Sequence, residues 1–262
     1  MDEANDQSDM QEIQLRLAKF VRSRAKWFEP FVELADGQSL GLFGGLIRDL
    51  MFPNLFREPR DIDIVVESLD FDDFETKFHS VIKRKTRFGG YKLEIDNVEI
   101  DVWPLNATWG FKKTGLRPSF NNLPKTTFLN VEAVVAVFDD VELFSADVLE
   151  SGFFDGMTSK ILRINLRENP FPTLNAIRSL ITAAKLEFAM DRNLAEFILT
   201  TLANVSNHEL SEIQVSHYGR IICQPNELSA WVNGIEDSLD EGDLAKLLLT
   251  QQRREELWSL RQ

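Results

Sequence analysis

Two prolines separate two hydrophobic rhythms in this 262-residue chain, and that change restricts the fold more than any other feature. Ahead of Pro170 and Pro172, short apolar stretches alternate in period two and are punctuated by glycine, asparagine and aspartate. That is the pattern of strands with interspersed helices. Beyond Leu174 the period lengthens to that of a helix: Leu174, Ile177, Ile181 and Ala184 share one face, and more helices are expected over 194–202, 208–218 and 237–260. The expected fold class is α+β (α/β), a mixed sheet flanked by helices, followed by an all-α domain. The expected divisions are a tail and amphipathic helix over 1–30, an α/β domain over 31–165 and a helical domain over 166–262.

Within the first region, residues 10–31 place Ile13, Leu17, Phe20, Val21, Trp27 and Phe28 at helical spacing, with Arg16, Lys19, Arg22, Arg24 and Lys26 between them. This reads as a helix packed on the following domain with its charges outward, preceded by a frayed polar terminus over residues 1–9. Strands are expected at 39–43, 61–66, 91–96, 98–104 and 141–144, the third and fourth joined by a tight Asp96-Asn97 turn. Helical turns are expected at 46–52 and a helix at 71–83, with Phe71, Phe74, Phe78 and Ile82 on one face.

Charge narrows the partners. Twenty-nine basic against 42 acidic residues give −13, a poor footprint for coating nucleic acid, although local basic patches can still guide RNA. A hydrophobic content of 44% predicts a packed core. No apolar run approaches the roughly 18 residues of a membrane span. The opening Met-Asp-Glu-Ala-Asn-Asp is unlike a signal peptide, and the single Cys223 excludes an internal disulfide or a cysteine-clustered zinc site. A soluble, cytoplasmic protein is expected, with no membrane partner.

The densest chemistry lies in Gly44-Gly45-Leu46-Ile47-Arg48-Asp49, followed by Arg57-Glu58-Pro59-Arg60-Asp61-Ile62-Asp63-Ile64. Side chains alternate along a strand, so Asp61 and Asp63 share one face, about 7 Å apart, while Ile62 and Ile64 face the core. A glycine pair at a strand-to-helix junction lets backbone amides approach a phosphate, and Arg48 can follow with a bidentate grip on phosphate oxygens. Glu99-Ile100-Asp101-Val102-Trp103 supplies a further strand with acids on one face. Together these describe a two-metal phosphoryl-transfer site.

These residues resemble the head domain of the bacterial tRNA nucleotidyltransferase and poly(A) polymerase family, within the DNA polymerase beta superfamily. That family reads Gly-Gly-x-Val-Arg-Asp-x-Leu-Leu-Gly-Arg-x-Pro-x-Asp-x-Asp. The chain matches at Gly44, Gly45, Arg48, Asp49, Arg57, Pro59, Asp61 and Asp63, with three more residues between the blocks. The family's neck segment, Glu-Asp-Pro-Leu-Arg-x-Leu-Arg-Ala-x-Arg-Phe, aligns without gaps from Glu168 to Ser179, but its base-selecting aspartate and first arginine are Asn169 and Pro172 here. A proline side chain donates no hydrogen bond, so that base reading is lost. The block Arg-Asp-Phe-Thr-x-Asn is reduced to Lys125 and Asn130. The resemblance covers residues 38–200.

What the resemblance implies is a nucleotidyltransferase moving a nucleoside monophosphate from an NTP to an acceptor hydroxyl, with release of pyrophosphate. Asp61, Asp63 and Asp101 would be catalytic and would bind two Mg²⁺ ions (or Mn²⁺ as substitute) about 3.5–4 Å apart. Gly44, Gly45, Arg48, Asp49 and Lys125 would bind the nucleotide. The implied acceptor is an RNA 3′ end, tRNA included, without standard CCA addition. Two alternatives stand beside it: transfer to a protein or small molecule, and a non-catalytic module that binds nucleotide or partner. Family members place either acid of the second strand in the third-carboxylate role. Asp101 is preferred to Glu99 because it sits deeper in an apolar run, where a metal or strong hydrogen bond must offset its desolvation.

Other features read more plainly. The run Lys83-Arg84-Lys85-Thr86-Arg87 is either a solvated loop or a grip on triphosphate or RNA. Trp103 and Trp109 can stack a base, though Trp103 also suits the core. His79, His208 and His217 lack ligand spacing, and Cys223 has no basic neighbour that argues for a reactive thiol. Glu236, Asp237, Asp240, Glu241 and Asp243 are expected at a solvated helix start.

Overall fold

The computed structural model describes residues 3–35, 37–55, 59, 61–138, 146–247 and 249–259. Arg57 and the strand expected at 141–144 lie outside the described residues. The chain divides into two compact units, residues 1–127 with 131–154, and residues 128–130 with 155–262.

The first unit opens with α1 (Glu3–Ser23) and α2 (Ala25–Ala35), so the amphipathic stretch is two helices interrupted at Arg24. Helix α1 runs back to Glu3, through residues expected to fray. Ile13, Leu17, Phe20, Val21, Trp27 and Phe28 are all buried, and the Arg24 guanidinium covers the Phe20 ring at 4.6 Å. Next come β1 (Leu40–Phe43), α3 (Gly45–Leu50), β2 (Asp61–Val66) and α4 (Phe71–Phe78). Helix α4 is capped by Asp70, whose carboxylate accepts from the Asp72 and Asp73 amides.

Helix α4 stops short of the expected residue 83, because residues 82–85 form β3 (Ile82–Lys85) against β4 (Tyr91–Ile95). Strand pairing overrides the helical spacing of Ile82. Phe71 is left 45% exposed instead of joining Phe74 and Phe78 in the core. The basic residues of β3 suit an edge strand, where charge discourages pairing with another chain. Between β4 and β5 (Val98–Pro104), Asp96 and Asn97 take φ of 50° and 64°, as a two-residue hairpin turn with both central residues left-handed requires. Helix α5 (Trp109–Thr114), a 3-10 segment (Phe120–Thr126), β6 (Val134–Phe138) and β7 (Asp147–Glu150) complete the unit, and α6 (Phe153–Ser159) crosses into the next.

The seven-stranded sheet runs β3-β4-β5-β2-β1-β6-β7, and only the β2–β5 pair is parallel. Ile62, Ile64, Ile100 and Val102 are buried on one face. On the other, Val65, Val135 and Val137 pack with Leu105, Phe111 and Leu123, bordered by Phe43 and Trp103. That second face is apolar at one end and, through Asp61, Asp63, Glu99 and Asp101, acidic at the other. Close packing fixes its apolar cover: a Cβ on Gly110 would lie 2.4 Å from Thr126 Cβ. Gly110→Ala should therefore cost about 1–3 kcal/mol of stability, read as a lower urea midpoint. A wild-type midpoint would show that α5 is free to shift.

The second unit holds α7 (Pro172–Leu186), α8 (Arg192–Leu202), α9 (Asn207–Tyr218), α10 (Pro225–Glu241) and α11 (Gln251–Ser259). Pro172 occupies the first turn of α7, where a missing N–H costs nothing. The unit is not wholly helical: β8 (Ile161–Leu162), β9 (Ala189–Asp191) and β10 (Leu244–Ala245) form a small sheet in the order β10-β9-β8. These strands of two or three residues are too short to leave a period in the sequence. The helix expected over 237–260 is interrupted at Gly242 by β10. Its acidic cluster thus lies at a helix end, the unfavourable end of the dipole, where Arg192 donates to the Leu239 and Gly242 carbonyls and to Asp243. Cys223 does have a basic neighbour, Arg253 Nη2 at 3.6 Å, contributed from 30 residues away. Burial still pushes its thiol up to about 12, so it is no reactive thiolate.

Candidate active site

The parallel register of β2 and β5 sets Asp61 opposite Glu99 and Asp63 opposite Asp101. Adjacent strands lie about 4.8 Å apart, so the backbone alone gathers four carboxylates into one strip. The alternation that buries Ile62, Ile64 and Ile100 leaves the acids no other face. From the other side of β5, Lys92 of β4 stands opposite Asp101. Its ammonium lies 3.0 Å from Glu99 Oε2 and 3.0 Å from Asp101 Oδ2.

Asp101 is unusual in the strip. Its Oδ1 is buried and has no hydrogen-bond partner among the described residues. Burial raises its carboxyl above the ordinary aspartate range; Lys92 pulls the other way, and Asp61 and Glu99 add repulsion. Burial would lower the Lys92 ammonium, but Asp101 and Glu99 outweigh it and hold it above its usual value. Glu99 is more exposed, its side chain 38% accessible against 25% for Asp101.

An unsatisfied buried carboxylate oxygen beside further carboxylates is a donor set for a hard divalent cation. Among the described residues no three such side chains converge into a ready-made cage.

The glycine turn abuts this strip, since Phe43 of β1 pairs with Asp63. Gly44 has φ 75° and ψ −130°, accessible to glycine almost alone, and its amide donates to the Val134 carbonyl at 3.0 Å. Arg48 follows in α3 but is 5% exposed, its Nε 2.8 Å from Asp49 Oδ1 and its Nη1 3.0 Å from Glu132 Oε1. Burial would lower the guanidinium's pKa, yet the two carboxylates raise it well above its usual value. A Cβ on Gly45 would sit 3.3 Å from Arg48 Nη2, so the guanidinium lies against that glycine. Two of the guanidinium nitrogens, Nε and Nη1, thus meet Asp49 and Glu132. Glu132 was not legible in the sequence: it lies 84 residues from Arg48 and carries no local pattern.

Lys125 is exposed and donates to Asn122 Oδ1 at 3.1 Å, on a 3-10 segment packed against β6 and β7. Asn130 is structural, its side chain joining the Ile161 carbonyl and the Arg163 amide. Asn169 Oδ1 accepts from the Phe171 amide in a local turn. The basic run is a strand with partners: Lys83 pairs with Glu94 and Glu99, and Lys85 with Glu75. Trp103 donates to Thr108 Oγ1 at 2.9 Å and meets Phe43 edge-on at 6.3 Å, while Lys113 lies over the Trp109 ring at 5.8 Å.

No protein-family model matches the sequence, and no curated protein matches it. Solved structures do match the fold. The apo form I of a tRNA-processing enzyme superposes over 97% of this chain and 63% of its own, at TM-score 0.53 and 14% identity. The Thermotoga maritima CCA-adding enzyme complexed with tRNA matches over 80% of this chain and 50% of its own, at 0.56 and 14%. A tRNA nucleotidyltransferase complexed with a primer tRNA and an incoming ATP analogue matches over 84% and 60%, at 0.53 and 15%. The chain has the fold of these enzymes and spans 63% and 64% of the length of two tRNA-processing enzyme structures it resembles. Among the described residues, no helix is long and apolar enough to cross a membrane.

Proposed function

We propose that this chain transfers a nucleoside monophosphate from an NTP to an acceptor hydroxyl. The observation that carries the reading is the in-register strip of Asp61, Asp63 and Asp101, in which one Asp101 oxygen is buried without a partner. The acceptor oxygen bonds to the α-phosphorus while the α–β bridging bond breaks, and pyrophosphate leaves. Asp61, Asp63 and Asp101 would hold two Mg²⁺ ions, and these would ease loss of the acceptor hydroxyl's proton and offset the charge of the departing pyrophosphate. The turn at Gly44-Gly45 would offer the triphosphate the Gly45 and Leu46 amides, since the Ile47 amide already donates to the Gly44 carbonyl at 3.1 Å. Arg48 keeps that turn in place by tying α3 to Glu132. Asp49 serves the same purpose as its partner, and Lys125 remains a candidate contact to the nucleotide from its exposed position.

An RNA 3′ end, tRNA included, is the acceptor we favour. Solved neighbours of the same fold are described with CTP, ATP and tRNA. Standard CCA addition is disfavoured by Asn169, already engaged in a turn, and by Pro172. A net charge of −13 favours a second reading, in which a protein or small molecule takes the nucleotide. A cytoplasmic location is part of the proposal.

The test incubates the protein with Mg²⁺, labelled NTPs and total RNA beside an Asp61→Ala/Asp63→Ala variant. Label should pass to RNA in the wild type alone, and equal transfer in both samples would refute the assignment. Label that survives RNase but not protease would redirect it to a protein acceptor. NTP binding with no turnover on any acceptor would leave the non-catalytic module.

A further inference from the structure

The carboxylate strip contains a cation of its own. Lys92 has 15% of its side chain accessible and contacts both acids of β5 at 3.0 Å, consuming Asp101 Oδ2 and Glu99 Oε2. What remains on these two acids is Asp101 Oδ1, the buried oxygen without a partner among the described residues, and Glu99 Oε1, which lies 3.8 Å from the Lys83 ammonium. The pairing follows from the sheet: Lys92 stands directly across β4–β5 from Asp101, and Glu99 is two residues along the same face. A surface ion pair would leave both carboxylates free to rotate into solvent. Here the ammonium is enclosed, so it fixes which oxygens are left for any other cation.

We infer that Lys92 is a positioning residue that withholds Glu99 from the divalent cation and presents Asp101 through Oδ1. The ammonium is thus a tethered competitor for the strip, limiting how many acids a divalent ion can recruit. This inference rests on the metal-binding reading of Asp61, Asp63 and Asp101 and concerns selection among the acids. Neutralising Lys92 should release Glu99 to join the site and tighten divalent binding, even as a contact to Asp101 is lost.

Mn²⁺ binding to the full chain, followed by calorimetry and by the loss of free-ion signal in electron paramagnetic resonance, tests this without reference to activity. Lys92→Gln should bind Mn²⁺ at least about tenfold more tightly than wild type, or bind an additional ion. Adding Glu99→Gln to Lys92→Gln should remove most of that gain, whereas Glu99→Gln alone should change little. Lys85→Gln makes the same change in net charge at a lysine paired with Glu75 and should leave Mn²⁺ binding as in wild type. Circular dichroism confirms that each variant is folded, and the Lys92→Gln/Glu99→Gln pair is judged against its own parent.

Wild-type affinity and stoichiometry in Lys92→Gln, or weaker binding, would overturn the role of Lys92 while leaving the metal site standing. An equal gain in Lys85→Gln would overturn it too, by showing a general charge effect. If no variant binds Mn²⁺ while all are folded, both this inference and the metal-dependent reading fall.

Discussion

Asp101→Asn should reduce the chemical step by at least two orders of magnitude, about 3 kcal/mol of barrier, with the fold intact. Burial, with Asp61 and Glu99, outweighs the pull of Lys92 and disfavours charge at this position, so an isosteric neutral residue relieves more than the lost Lys92 contact costs, without opening a cavity. Thermal stability should therefore match or exceed wild type, which separates a catalytic loss from unfolding. NTP affinity should weaken much less, because Asp61 and Asp63 retain their charge. Glu99→Gln should cost no more than about tenfold, since Glu99 is more exposed and already paired with Lys92 and Lys83. Single-turnover rates with labelled NTP, beside thermal melts, decide the matter. An inactive Glu99 variant and an active Asp101 variant would exchange the two roles.

How much of the acidic strip was legible in the sequence depends on how local its causes are. Strand β2 was expected over the residues it occupies, because Asp-Ile-Asp-Ile-Val-Val alternates and leaves one choice of face. The Asp96-Asn97 turn was equally plain, since few residues tolerate two left-handed conformations in succession. The order of the strands was not. That Asp63 meets Asp101 depends on β2 and β5 being parallel neighbours, a pairing that residue spacing does not encode. Lys92 was missed for the same reason: its isolated position in β4 carries no signal until the hairpin register sets it against Asp101. Short strands such as β8 and β10 were not foreseen, and β3 falls where a helix end and a basic loop were expected, because tertiary pairing decided them. Arg48 shows the limit most clearly. Its position in the motif was evident, but its partner Glu132 is brought up from beyond β5 by the fold.

Arg48→Met should lower the stability of the protein by about 3–5 kcal/mol, because it removes the buried cation that Asp49 and Glu132 share. The Arg48 side chain is 6% accessible, and those of Asp49 and Glu132 are 18% and 14%. Removing the cation leaves both carboxylates partly desolvated with their shared partner gone, and breaking one side of such a cluster costs more than replacing all of it. The triple variant Arg48→Met/Asp49→Asn/Glu132→Gln should consequently recover part of the loss. Urea unfolding of the three proteins at neutral pH measures both differences. A phosphate-gripping arginine would behave otherwise: its removal would leave the urea midpoint unchanged and raise KM for NTP. The distances favour the buttress, since Nε and Nη1 already meet carboxylates and the guanidinium lies against Gly45, beneath the turn at Gly44. On this reading Arg48 would act on the nucleotide through the backbone it holds in place. An unaltered midpoint with a large increase in KM would return it to direct contact with the triphosphate.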